Sequence, residues 1–576
     1  MNSLFFYKGG NLKKIFLFVL FLSFAFSLFS CSNIQETTYK PPFDYLRVFG
    51  GILGEESSRI FPLKDGTFYV VATTYSPSLS GDIPKSMNKT NKLEDMLDNG
   101  ANIWLFQIDP NKPYDEQIIY SRCFGRIGTE ELWAACLDEN ENIIIGAKST
   151  SKEGADNVST CWIFKVDTKK PYNEQITYSQ TFPQSRMWIP LDLKSIDKDT
   201  CYLLYNIDKN DGRLNSLMKF DFSKSVEQNP VFDKKIFFSN SGFEMKAWLT
   251  FPHISISDNG NINMAWTIEK DKLFSPFDIN KPLNINGDVN YDYDYEEANS
   301  ENVVSLHKFD VLVLSLNPNL PEKDWIVYSR IIGGSKSETF PRILKAENES
   351  FWINFFTTSD DGDMSCNIMN TVNKIDGLSQ KALAIMKINP TLPKDKQIEY
   401  SKFLHVEKSI IRFAPFNVYG DKVGFVLDVV TNDDLQERKV DLTEKQKKKN
   451  ITLPYLDVDE YFARHGILKL LVLDTKNDKY YVHDLKATRG GGLLNPDVVL
   501  SETSMFFSID SCCPPKVGDM PNYKTSIIEE ALNNLGSLRH LFTNEKREIM
   551  STFTTDILVG KIDIKNMKEY SDTEKK

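Results

Sequence analysis

Histidine is scarce in this chain of 576 residues. The six, His253, His307, His405, His465, His483 and His540, stand singly with no HExxH or other paired spacing, so no zinc site and no other metal is expected. Cysteine is almost as rare. Of eight, Cys31 has a separate explanation below, and the seven left are an odd number, which excludes a complete disulfide framework. Cys123, Cys136, Cys161 and Cys201 fall in or beside strand-like runs and read as small core residues, while Cys512-Cys513 can be free thiols or a vicinal pair. No GxSxG elbow, phosphate-binding glycine loop or sialidase-type Asp-box is present, and no cofactor is implied. Basic residues do not dominate either: 68 Lys and Arg against 79 Asp and Glu give a net charge of −11, which argues against a nucleic-acid partner. With 41% apolar and 12% aromatic residues, the chain has ample material for a large core.

No apolar run is long enough to be a comfortable membrane span. The one candidate, Ile15 to Ser30, follows Lys8, Lys13 and Lys14 and has the layout of a signal peptide. It closes on Leu28-Phe29-Ser30-Cys31, which resembles a bacterial lipobox, although Phe29 is bulkier than the usual residue there. The resemblance implies cleavage after residue 30 and lipidation of Cys31; an ordinary secretory signal cut nearby is the alternative. Removal of 1–30 takes away three lysines and no acid, leaving 65 basic against 79 acidic residues. Ser32 after the cysteine implies the outer membrane of a bacterial envelope by the sorting rule of such lipoproteins. Residues 31–44 read as a tether.

Self-similarity dominates the remainder. Lys112-Pro-Tyr-Asp-Glu-Gln-Ile-Ile-Tyr-Ser121 returns as Lys170 to Ser179, and more loosely as Leu320 to Ser329 and Leu392 to Ser401, each after an apolar run closing on Asp or Asn. With weaker copies at Leu217 to Asp221, Leu470 to Asp474 and Leu558 to Asp563, the count is seven. A central proline recurs at Pro62, Pro190, Pro252, Pro341, Pro415 and Pro496, and strand-like runs such as Phe68 to Ala72 and Phe351 to Phe356 follow Asp-, Asn- or Gly-rich turns. Seven units of four short strands, at spacings of roughly 55 to 95 residues, predict an all-β, seven-bladed β-propeller of four-stranded antiparallel blades over 45–563. Residues 564–576 then form a charged tail.

The segments Tyr45-Leu-Arg-Val-Phe-Gly-Gly51, Ile118-Ile-Tyr-Ser-Arg-Cys-Phe-Gly125 and Tyr328-Ser-Arg-Ile-Ile-Gly-Gly334 resemble the SBBP-type β-propeller repeats of bacterial lipoproteins and exported proteins. That resemblance implies architecture and says almost nothing of activity. By the phase of the repeat, the strand opening at Tyr45 should complete the last blade, with Glu569-Tyr570-Ser571 as rival for that slot.

Long segments between the second and third strands, about 75–101, 270–309, 359–381, 433–465 and 511–554, all fall on one face, which makes it the expected binding surface. The last predicts one or two helices over Thr525 to Leu535 and Leu538 to Thr552 from helical apolar spacing. Counting three residues back from each anchor proline, or from Ala134 where it replaces the proline, gives Arg59, Glu131, Glu338 and Arg412 as charged residues of the channel mouth, and Arg186 and Trp248 adjoin them. Arginine forks suit a carboxylate or phosphate, and Trp248 offers a plate for a sugar. The plain alternative is a rim whose charges pair with one another. Asp288 to Glu297 and Ser359-Asp-Asp-Gly-Asp363 are acidic loops that fail the EF-hand pattern. The leading expectation is a non-catalytic binding or interaction protein, lipid-anchored, with a protein, glycan or anionic ligand; an envelope-assembly scaffold is close to it. The rival is a glycan hydrolase or lyase with Glu131 and Glu338 as acid/base pair.

Overall fold

In this computed structural model the described residues are 43–50, 55–76, 82–84, 100–125, 128–151, 158–182, 188–209, 212–236, 253–269, 274–275, 278–282, 309–334, 337–357, 359, 362–364, 382–404, 409–431, 467–485, 496–511 and 556–571. Cys31, Arg186, Trp248, the Asp288 to Glu297 loop, Cys512, Cys513 and both predicted helices lie outside them, as does the side chain of Arg412. Among the described residues no helix is long and apolar enough to cross a membrane.

Seven four-stranded antiparallel sheets form a seven-bladed β-propeller, with strands lettered A to D from the axis outward. Blade one is Glu55–Pro62, Phe68–Thr74, Asn102–Ile108 and Ile118–Phe124. Blade two is Gly128–Leu137, Ile143–Ser151, Val158–Val166 and Ile176–Phe182. Blade three is Trp188–Ser195, Thr200–Lys209, Gly212–Asp221 and Phe232–Ile236. Blade four is His253–Ile256, Ile262–Glu269, Phe309–Leu316 and Ile326–Ile332. Blade five is Glu338–Lys345, Phe351–Thr357, Ala382–Ile388 and Ile398–Leu404. Blade six splits its strand A into Ser409–Phe413 and Phe416–Tyr419 around Pro415, then continues with Lys422–Thr431, Ile467–Asp474 and Lys479–Leu485. Blade seven takes Asp497–Leu500, Ser504–Ser511 and Asp556–Asp563 from the end of the chain and Phe43–Phe49 from its beginning.

Closure therefore joins the two ends of the repeat: Leu46 pairs with Gly560 and Phe49 with Ile557. The rival segment has another place. Lys568–Ser571 adds a fifth strand outside blade six, with Tyr480 opposite Tyr570, and covers an edge that would otherwise present unpaired backbone groups.

Strands B and C are apolar on both faces because each blade is packed between two others. Every residue of Phe68–Thr74 and of Phe351–Thr357 is buried. Burial of a large apolar side chain contributes roughly 1.5–3 kcal/mol, so these faces supply the main stabilisation. Cys136, Cys161 and Cys201 share one cluster with Leu203 and Phe220 at the contact of blades two and three. They are core residues, as their positions imply: burial pushes the Cys136 and Cys161 thiols up to about 12.

The residues that make the repeat visible hold neighbouring blades together at the outer rim. Arg47 of blade seven donates to Gln117 Oε1 in the C-D turn of blade one at 3.1 Å and stacks on Tyr114. Arg122 of blade one does the same to Gln175 and Tyr172 of blade two. Arg330 of blade four reaches Gln397 of blade five at 3.1 Å. The tyrosine two residues earlier, Tyr45, Tyr120 or Tyr328, donates to the same glutamine. Two of these arginines also hold the starts of insertions: Arg47 pairs with Asp82 at 3.0 Å and Arg330 with Asp363 at 2.8 Å. Asp363, from the acidic Ser359-Asp-Asp-Gly-Asp363 run, is thus ion-paired and also accepts from the Gly333 amide at 3.4 Å.

Candidate functional site: the axial ring

Strand pairing identifies equivalent positions in the blades more securely than the prolines do. The A-B register sets Arg59 opposite Val71, Ala134 opposite Gly146, Asp192 opposite Leu204, His253 opposite Ala265, Arg342 opposite Asn354 and Asp497 opposite Ser508. Pro415, whose carbonyl accepts from the Val426 amide, completes the set in blade six. These seven positions form one ring on the innermost strands: Arg, Ala, Asp, His, Arg, Pro, Asp. A-B connections and C-D turns lie on one face of the disc, and the insertions on the other. The ring is a few residues below the insertion-bearing mouth.

A β-bulge stands just before the ring position in blades one, two, three and five, with an arginine after it in blades one and five. The A-B register shifts between Glu56 and Arg59 and again between Thr339 and Arg342. Ser57 and Phe340, at equivalent places inside these bulges, have φ of 58° and 56°. Left-handed backbone is unfavourable for a bulky residue such as phenylalanine, so it persists because the surrounding strands impose it. The extra residue turns the side chain that follows, Arg59 or Arg342, out of the regular alternation.

The ring's carboxylates bind blade to blade. Asp192 Oδ2 accepts from the Ile254 amide of blade four at 3.0 Å, and Asp497 Oδ2 accepts from the Ile60 amide of blade one at 3.0 Å. Asp192 is flanked by Lys194 at 3.1 Å and by His253 Nδ1 at 3.4 Å. Burial opposes its ionisation, but Lys194, His253 and the Ile254 amide together hold its carboxyl well below the usual range. Burial lowers the His253 pKa; Arg342 and Lys194 lower it further and Asp192 resists. Arg342 is half-buried, and burial first, then the charge of Arg59, lower its pKa to about 10, against the pull of Asp497 and Asp192. Arg59 donates to the Ser58 carbonyl at 3.0 Å and the Trp133 carbonyl at 3.4 Å and, among the described residues, meets no carboxylate at ion-pair distance.

Of the residues chosen from the sequence, Arg59 is in this ring and Glu131 is nearer the mouth, paired with Lys148 at 3.1 Å. Glu56 is beside it. Its carboxyl is pushed up to about 7 by burial, with Asp510 and Glu131 adding to the effect and a 2.6 Å bond from Tyr75 opposing it. Glu338 is elsewhere. It is fully buried at the blade four–five junction, accepting from Thr357 Oγ1 at 2.7 Å and the Gly334 amide at 3.2 Å. Its counterparts are Glu55, bonded to Thr74 Oγ1 at 2.8 Å, and Glu130, bonded to Ser149 Oγ at 3.1 Å. Counting from the proline set Glu338 beside Glu131, whereas the strand register aligns it with Glu130; the pair does not share a mouth. Lys194, Asp192, His253, Arg342 and Asp497 were missed for the same reason. Pro62 lies three residues after the ring position, but His253, Arg342 and Asp497 each follow a proline directly. The residue after the proline was the available signal.

The Glu338 site contains a close carboxyl pair. Burial raises Glu338 to about 8, the hydroxyls of Ser359 and Thr357 oppose this, and neighbouring Asp310 adds to it. In the blade one–two junction the residue corresponding to Asp310 is Asn102, opposite Thr74 as Asp310 is opposite Ile268.

No family model and no curated protein matches the chain. Several solved structures are distantly similar to it. An apocarotenoid oxygenase of Synechocystis is 9% identical, with 76% of this chain and 90% of that one covered and a TM-score of 0.34. A protein of unknown function from Dyadobacter fermentans is 8% identical over 91% of this chain and 100% of its own, with a TM-score of 0.35. An alpha-L-arabinofuranosidase of Fusarium graminearum is 8% identical over 66% and 92%, with a TM-score of 0.30. At such identities and scores, the likeness does not extend to activity.

Proposed function

We propose that this chain is a lipid-anchored binding protein of the bacterial cell envelope, built of SBBP-type repeats, held through Cys31 and taking its ligand or partner at the axis of the propeller. The observation carrying this is the axial ring: at Arg59, Asp192, His253, Arg342 and Asp497 the blades differ from one another, while at the rim clamps they repeat. Repetition at the clamps serves assembly. Variation on the innermost strands gives the channel an asymmetric set of charges, which recognition of a single ligand uses. The lipobox-like ending of the apolar run supports the anchor and the outer membrane as its location.

The lipidated full chain, co-purified with envelope partners, and a glycan array probed with a soluble form test the binding role. A partner or glycan whose capture is lost on replacement of Arg59 and Arg342 supports it; capture by neither method contradicts it. One observation favours a second reading, glycan processing at the mouth. Glu56, titrating near 7 beside Tyr75 and Glu131, has the protonation range of a general acid. Release of reducing sugar that disappears in Glu56→Gln would establish that reading over simple binding.

A further inference from the structure

We infer that the axial ring is a carboxylate-binding site, with the guanidinium groups of Arg59 and Arg342 as its two clamps and Lys194 beside them. This deepens the binding role proposed above and rests on it.

Arg59 and Arg342 come from blades one and five but occupy one register position, each delivered by a bulge around a left-handed residue. Two unrelated dipeptides, Ser57-Ser58 and Phe340-Pro341, achieve the same displacement. The register also shifts just before Ala134 and Asp192, the ring positions of blades two and three, so a bulge at this level is common to several A strands. What sets blades one and five apart is the left-handed residue inside the bulge and the arginine that follows it.

The charge balance of the ring also favours an anion. Arg59, Arg342 and Lys194 supply three positive charges, Asp192 and Asp497 two negative ones, and His253 is held toward its neutral form. Both aspartates are already engaged: each accepts from its own next amide and from the next blade, Asp192 from Leu193 and Ile254, and Asp497 from Val498 and Ile60. They are scaffolding for the ring. The surplus of one positive charge matches a carboxylate monoanion better than a phosphate dianion. Two guanidinium groups at one register position of the innermost strands suit a planar anion, since guanidinium groups bind carboxylates through paired N–H donors. Such an anion would also offset the charge of Arg59, which adds to burial in lowering the basicity of Arg342.

The test is a calorimetric titration of the full chain in detergent micelles with acetate, glucuronate, glucose and inorganic phosphate. Expected results are binding of acetate and glucuronate, none of glucose, and an affinity at least ten-fold lower in Arg59→Gln or Arg342→Gln. The double variant should show no binding, and Lys169→Ala, on the opposite face, should be unchanged. Near-UV circular dichroism checks the fold of each variant; should the Gln variants misfold, Arg59→Lys with Arg342→Lys keeps the charge and removes the fork, and should weaken glucuronate while retaining shape. Binding of phosphate alone, or glucuronate binding unchanged in the folded double variant, would overturn the inference. Acetate binding without glucuronate would keep the carboxylate and assign it to a small acid; glucuronate binding tighter than acetate assigns it to an acidic sugar. Capture of an uncharged array glycan that glucuronate does not displace would overturn the carboxylate site and leave the binding role standing. Silence of both array and titration would end both.

Discussion

Glu338 and Asp310 face each other across the junction of blades four and five, so close that a Cβ on Gly333 would be 2.0 Å from Asp310 Oδ1 and 3.0 Å from Glu338 Oε2. The same geometry recurs at Gly125, where a Cβ would be 2.0 Å from Asn102 Oδ1 and 3.1 Å from Glu130 Oε2. One junction has two carboxyls and the other a carboxyl with an amide. The chain contains its own control.

That difference predicts a pH dependence. Glu338 has its pKa raised from 4.5 to about 8, by burial first and by Asp310 among the opposing and reinforcing groups. An acid whose pKa is higher in the folded state contributes stability that is complete below its unfolded pKa and is lost as pH rises from about 4.5 toward about 8. Asp310→Asn copies the Asn102 junction, so the decline in thermal midpoint between pH 5 and pH 9 should be shallower in the variant. An identical slope in both proteins would contradict the assignment.

The glycines after strand D are held by lack of space. Gly125→Ala and Gly333→Ala should each cost about 1–3 kcal/mol by overpacking, read from urea unfolding with an unchanged m-value. Gly66→Ala provides a contrast, because its φ of 88° strains any side chain although no atom stands within 4 Å of the added carbon. Its loss should be independent of neighbours, whereas that of Gly333→Ala should fall when Asp310→Ala removes the obstructing carboxyl.

Among the rim clamps, Arg330 and Arg122 should differ. Arg330 combines Gln397, the Lys394 carbonyl and an ion pair with Asp363, and its side chain is only 8% exposed. Arg122 has Gln175, the Tyr172 carbonyl and a stack on the Tyr172 ring at 3.8 Å. Removal of one partner from a buried ion pair costs several kcal/mol, so Arg330→Ala should lose about 3 kcal/mol and Arg122→Ala about 1. Equal losses in denaturant titrations would show that the ion pair with Asp363 adds nothing.

The blades were legible in the sequence because the same task recurs at each junction. Tyr45-x-Arg47, Tyr120-x-Arg122 and Tyr328-x-Arg330 repeat because Gln117, Gln175 and Gln397 need the same two donors. Trp104 and Trp162 repeat their indole bonds to Ser121 and Ser179 at 2.9 and 3.0 Å, which accounts for the Tyr-Ser signature. The ring was mostly illegible for the converse reason. Its members share a place and not a residue type, and the bulges before Arg59 and Arg342 add residues that a linear count from proline cannot register. Arg59 was found because Pro62 happens to stand three residues on; Glu338 was chosen by the same count and belongs to a buried junction.

The ring's role as a binding site is tested most directly by the thermal midpoint of the full chain with and without glucuronate, in wild type and in Arg59→Gln with Arg342→Gln. Ligand that binds only the folded state raises the midpoint by mass action, by an amount set by RT ln(1 + [L]/Kd). A rise of several degrees at saturating glucuronate in wild type, absent in the double variant, is the result expected. An equal rise in both proteins, or none in wild type while its fold is intact, would contradict a binding site at the axis built on these two arginines.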